Sequence, residues 1–81
     1  MIPMDTDKEA MLINATRYCL GRQSYAVGEH CDILRRSWPY LRRSVREVIE
    51  ADVERALTSG QVGMDQDRRE WERVAALWRG Q

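Results

Sequence analysis

The sequence predicts an all-α fold: a compact bundle of about four helices with a long third helix, built as one helical domain over residues 1–81. Three observations lead there. Apolar residues recur at helical spacing through successive stretches of the chain. Helix starts and stops bracket those stretches, with Thr6, Asp67, Gly21 and Gly60 at the boundaries. Strand-like alternation is absent except around Tyr25.

The first helix starts at a capping box, Thr6 with Glu9, and Asp5 and Asp7 add negative charge at the positive end of its dipole. Leu12, Ala15, Thr16 and Cys19 share one face, and further apolar residues spill round the sides, so this helix is expected to be central. Gly21 is the expected stop. The next few residues allow two readings: Ser24 caps the second helix, or Tyr25 and Val27 form a short extended piece.

The second helix is expected over residues 26–37, with Val27, Cys31, Leu34 and Trp38 at helical spacing. Trp38-Pro39 then breaks the chain, because proline pushes the preceding residue out of the helical region. Pro39 suits the first turn of the third helix. That helix carries Leu41, Val45, Val48, Ile49, Asp52, Val53, Ala56 and Leu57 on one face, all apolar but Asp52, and ends near Gly60. A loop over 61–64 leads to a second capping box, Asp67 with Glu70, and to the stripe Trp71, Val74, Ala75 and Trp78. The third helix is expected to pack against the first and the fourth.

Composition narrows the function classes. The net charge is zero, which argues against a general polyanion binder and equally against a strongly acidic mimic of DNA. Of the thirteen cationic residues only Lys8 is a lysine. Arginine makes the bidentate planar contacts that lysine cannot, although a GC-rich genome also enriches it. A domain this small buries only about 60% of its unfolded surface, so a homodimer is a natural source of further burial and the expected state is monomer or homodimer. No apolar run reaches the roughly 18 residues that cross a bilayer, and residues 1–5 do not read as a secretory leader. The expected location is cytoplasmic, with Cys19 and Cys31 reduced and no membrane partner.

Catalytic and metal chemistry find little support. His30 and Cys31 are adjacent and so point apart on a helix, and a structural zinc site needs four ligands. Both cysteines read as small core residues, and His30 as a residue of the surface or core edge. No phosphate loop, dinucleotide glycine pattern or metalloprotease helix occurs. The chain is therefore expected not to be an enzyme, with no cofactor and no metal.

The chemistry that remains is that of contact. Arg35, Arg36, Arg42, Arg43 and Arg46 surround Trp38 and Tyr40, an interleaving that suits a protein interface or phosphate contact with base stacking. Intrahelical pairs Asp32–Arg36, Arg43–Glu47 and Arg46–Glu50 would account for part of it, and Trp38 as a corner plug for more. Yet arginines at the start of the third helix oppose its dipole, at about 0.3 to 1 kcal/mol each. Glu47, Glu50, Asp52 and Glu54 follow them as an acidic stripe. A basic corner beside an acidic stripe fits a protein partner with complementary patches better than bare nucleic acid. Arg17, Arg22 and Tyr25 form a third candidate cluster at the end of the first helix.

The run Arg17-Tyr18-x-Leu20-Gly21-Arg22-x-Ser24-Tyr25-x-Val27, with Cys31-Asp32 and a hydrophobic helix after it, resembles a family of small phage and prophage proteins. That family carries a similar R-Y-x-L-G-R-x-S/T-Y run near its N-terminus, and the match spans roughly a third of the chain. The resemblance implies a mobile-element origin and stoichiometric binding. The leading expectation is an anti-CRISPR-like inhibitor that binds a bacterial Cas effector complex in the host cytoplasm and blocks its nucleic-acid binding. The acidic stripe is then one candidate for the basic nucleic-acid channel of such a complex. The alternatives are a small nucleic-acid-binding regulator using the arginine corner, and a phage assembly protein.

Overall fold

Local signals and tertiary burial together set the element boundaries. The computed structural model describes residues 6–21, 26–63 and 65–80. They form α1 (Thr6–Gly21), α2 (Val27–Ser37), a 3₁₀ turn (Trp38–Tyr40), α3 (Arg43–Ser59) and α4 (Asp65–Arg79), with no strand among the described residues. At 17 residues α3 barely exceeds the 16 of α1. The extended alternative near Tyr25 lies outside the described residues, as do Arg22 and Tyr25 themselves.

α3 packs against α1 on one side and α4 on the other, and α2 closes the ring by packing against α4 and α1. Side-chain pairs give the directions. Glu9 meets Arg42 and Arg17 meets Asp52, so α1 and α3 run the same way. His30 faces Trp71 and Trp38 faces Trp78, so α2 and α4 also run the same way. α3 and α4 are antiparallel, with Glu54 near Arg79 and Leu57 near Arg68. Consecutive helices α2 and α3 are not packed side by side.

The crossing between them explains why. Trp38 keeps helical angles (φ −49°, ψ −48°) in spite of Pro39, which sits inside the 3₁₀ turn. The expected break at Trp38 therefore moves downstream, to extended backbone at Leu41 (ψ 143°) and Arg42 (ψ 152°), and α3 starts at Arg43. Burial holds Trp38: it is 7% exposed and lies 5.4 Å, centroid to centroid, from the ring of Trp78. The stacking and lost apolar area outweigh the modest bias that proline imposes.

One core runs through all four helices. Leu34, Ile49, Val53, Trp71, Val74 and Ala75 are sealed from solvent. Cys19 and Cys31 are buried free thiols within it. Two expectations for α1 are corrected. Its buried face is Glu9, Leu12, Thr16, Cys19 and Leu20, while Ala15 is exposed. It is also not central: Met11 (69% exposed) and Tyr18 (58%) stand on its outer side. Gly21 is itself the last helical residue of α1, and α4 opens at Asp65, so Asp65 and Asp67 both sit in the first turn, where they favour the dipole.

α3 ends where Gly60 takes the left-handed conformation, φ 79°. No atom lies within 4 Å of the Cβ that another residue would add there. Gly60→Ala is therefore expected to cost only backbone strain, about 1 kcal/mol. Urea denaturation reads this, and Gly60→Asn should cost less, since asparagine tolerates the left-handed region better.

Candidate functional site

The seam between α1 and α3 takes up three of the charged candidates, Arg17, Arg42 and Asp52. Glu9 is buried, its side chain 2% exposed. Its Oε1 accepts a hydrogen bond from Arg42 Nε (2.8 Å) and lies 2.7 Å from Nη2 as an ion pair, and its Oε2 accepts the Arg42 backbone N–H (3.1 Å). Arg42 is the residue preceding α3, and its own side chain makes no capping hydrogen bond. A carboxylate from α1 thus stands at the positive end of α3, where the dipole favours it. The arginine that seemed misplaced against that dipole carries its counter-ion with it.

A second pair runs the other way. Asp52 on α3 has a side chain 10% exposed. Its Oδ2 accepts from Arg17 Nε on α1 (2.7 Å), and its Oδ1 accepts from Arg55 Nη2 one turn along (2.5 Å). Burial alone would raise the Asp52 carboxyl. The hydrogen bonds and charges of Arg17 and Arg55 overcome that and hold it below the ordinary carboxylate range.

These pairs redraw both candidate surfaces. The acidic stripe does not exist as a free face. Asp52 is taken by the seam, and Glu54 accepts from Trp78 Nε1 (3.0 Å) and from Arg79 Nε (2.8 Å) and Nη2 (2.9 Å), joining α3 to α4. The bonds from Arg79 and then Trp78 hold the Glu54 carboxyl below its usual range. Only Glu47 and Glu50 remain outward, and Glu47 lies 3.4 Å from Arg43. The arginine corner also loses members. Trp38 is core, and Arg42 serves Glu9. Arg35, not Arg36, pairs with Asp32. Arg46 and Glu50 form no ion pair with each other.

The exposed Arg36, Tyr40 and Arg43 and the half-buried Arg46 therefore remain where α2 gives way to α3. Tyr40 is 37% exposed. Arg43, Arg46, Glu47 and Glu50 line a shallow open depression of about 380 Å³. The Arg43–Glu47 pair is exposed on both sides, so it is worth only about 0.3 to 0.5 kcal/mol and yields readily to a partner.

The thiols and the imidazole are tied into the interior. His30 is buried, 8% exposed, and its Nε2 lies 2.8 Å from Thr16 Oγ1. Thr16 donates its hydroxyl proton to the Leu12 carbonyl at 2.8 Å, so the imidazole Nε2–H is the donor in the pair with His30. Burial lowers the His30 pKa. Burial and then nearby Asp67 raise the Cys19 thiol, and burial above all pushes Cys31 up to about 12, so neither is a ready thiolate at neutral pH. Among the described residues no cluster of three or more His, Cys, Asp or Glu side chains is placed to hold a metal.

Sequence reasoning missed Glu9 and Arg55 as interaction residues. Glu9 carried a visible signal, but its position three residues after Thr6 pointed to a local cap. Arg55 lies three residues after Asp52, a spacing that pairs charges on a helix. No known family model, curated protein or solved structure matches this chain.

Two outcomes follow from this chemistry. Glu9→Gln and Arg42→Gln, made singly and together, should give a coupling energy of about 1 to 3 kcal/mol in denaturant unfolding, because a buried carboxylate loses its charged donor. A coupling near zero removes Glu9 from the role given it here. His30 binds a proton near 6.5 when unfolded and only at lower pH when folded. Between those values the unfolded chain holds more protons, so stability falls as pH drops below 6.5. His30→Gln, which keeps a donor for Thr16 and does not titrate, should flatten the stability profile between pH about 7 and 5. The Asp52 contribution is lost only at lower pH, as the pH falls through its depressed folded value.

Proposed function

We propose that the protein acts by stoichiometric binding to another protein, as an anti-CRISPR-like inhibitor that occupies a bacterial Cas effector complex in the host cytoplasm and blocks its nucleic-acid binding. The phage-family resemblance of the run from Arg17 to Val27 supplies the class of target. The observation that carries the mode of action is the corner of Arg36, Tyr40, Arg43 and Arg46. Arg36 and Arg46 have no ion-pair partner among the described residues, and Arg43 has only an exposed one. Arginine and tyrosine without a folding duty, gathered on one corner, are the residue types that dominate protein interfaces. Glu47 and Glu50, interleaved with them, favour a partner patch of mixed sign over a bare polyanion. An acidic mimic of nucleic acid loses its support with Asp52 and Glu54 committed to the fold.

A homo-oligomeric assembly role is the second reading. It draws on the outer face of α1, where Met11 and Tyr18 stand exposed. Monomeric sedimentation at all concentrations removes it.

The test uses purified Cas effector complexes and their target DNA. Wild-type protein should prevent target binding at near-equimolar ratio. Arg36→Ala, Arg43→Ala and Arg46→Ala combined should weaken inhibition by at least about tenfold, the scale of one interface hot spot. Unchanged potency in a folded triple variant removes the corner as the working surface. Binding to duplex DNA alone, falling steeply with salt, would turn the reading toward a nucleic-acid regulator.

A further inference from the structure

Away from the arginine corner, the α1–α3 seam opens into a groove lined by Arg17, Leu20, Asp52, Arg55 and Gln61, with a volume of about 360 Å³. Only one edge of each guanidinium is used within the fold. Arg17 gives Nε to Asp52, and Arg55 gives Nη2. Both arginines are well exposed, 56% and 69%, so their other N–H donors face solvent along the groove. Each guanidinium carries five donors in a planar fork, which matches the geometry of a carboxylate or phosphate.

We propose that this groove is an oxyanion-binding site, which takes a carboxylate or phosphate group between Arg17 and Arg55, with Asp52 as the positioning residue that holds both guanidiniums in place. The charge balance fits. Two guanidiniums and one carboxylate leave one positive charge, which a monoanion neutralises. The preorganisation fits as well. Arginines already tethered to a common buried carboxylate lose less side-chain freedom when a ligand arrives than free surface arginines do. Asp52 meets them from the floor of the groove, with its side chain 10% exposed, so it orients the arginines while the solvent side stays open.

The unfavourable influence is the negative end of the α1 dipole, which lies close by. It is blunted by Gln61, whose side-chain Nε2 donates to the Leu20 carbonyl at 2.9 Å and so engages one of the free carbonyls at that helix end. The site requires no particular identity for the partner at the arginine corner, and it stands or falls independently of that surface.

The experiment follows the arginine Nε–H resonances of ¹⁵N-labelled protein by NMR during titration with inorganic phosphate and, separately, with succinate, at constant ionic strength set with chloride. Saturable shifts at Arg17 and Arg55 are expected, and the anion that saturates at lower concentration assigns the ligand class. Arg55→Gln leaves the Arg17–Asp52 pair intact and should weaken binding at least about tenfold, as one charged donor group is lost. Asp52→Asn, where the variant stays folded, should weaken binding, because the carboxylate that holds Arg17 and Arg55 in place is gone; tighter binding in this variant would remove the positioning role given to Asp52. Arg43→Gln, on the distant corner, should change nothing. The proposal is overturned if neither anion gives a saturable shift, or if Arg55→Gln and Arg43→Gln weaken binding equally.

Discussion

Two carboxylates withdrawn from water govern the way this bundle is put together. Glu9 sits on α1 and takes its arginine from the start of α3, while Asp52 sits on α3 and takes its arginine from α1. A buried carboxylate without a charged donor is strongly unfavourable, so each can be accommodated only when the two helices lie in one register. The acceptors and donors are spaced about 12 Å apart along α1 and about 15 Å along α3, and the long arginine stems absorb the difference. Side-by-side helices running in the same direction bring like ends of their dipoles together. Glu9 at the start of α3 and Arg17 near the end of α1 place compensating charge at both ends.

The same pairs decide what the surface has left to offer. An arginine-rich chain of zero net charge folds by spending its acids first: Glu9, Asp52 and Glu54 are each held by arginine from another helix. The basic corner that remains is smaller than the run of arginines in the sequence, and it lacks its tryptophan. The groove at Arg17 and Arg55 is a product of the same economy of charge, since one carboxylate there is shared by two guanidiniums. Burial of His30 and both cysteines keeps these three side chains inside the bundle.

Much of this was legible before any tertiary contact was known. The stripes of α3 and α4 were clear because helical periodicity is local and repeated: Val45, Ile49, Val53, Ala56, Trp71, Val74 and Ala75 are all buried. The thiols were legible for the same reason. The candidate site was less so. Glu9 fits a local cap and a tertiary ion pair equally well in one dimension, and its arginine lies 33 positions away. Trp38 before proline reads as a break, because the sequence does not display the ring of Trp78 that makes the helical geometry worth keeping. Thr16 was read on the buried face of α1 together with Ala15, and of the two it alone is buried there, with two polar partners inside, the Leu12 carbonyl and His30.

The sequence by itself determined that the chain is helical, where most of its apolar stripes lie, and that its charge is carried by arginine. Those properties depend on neighbours within four or so positions, the range over which a helix brings side chains together. Tertiary structure alone decided which helices are neighbours, which run parallel, and which charged residues are free to meet a partner. Availability is settled by contacts between distant segments. Arg42 and Arg43 are adjacent in the chain, yet one is bound to a buried carboxylate of α1 and the other stands in solvent beside a weak partner.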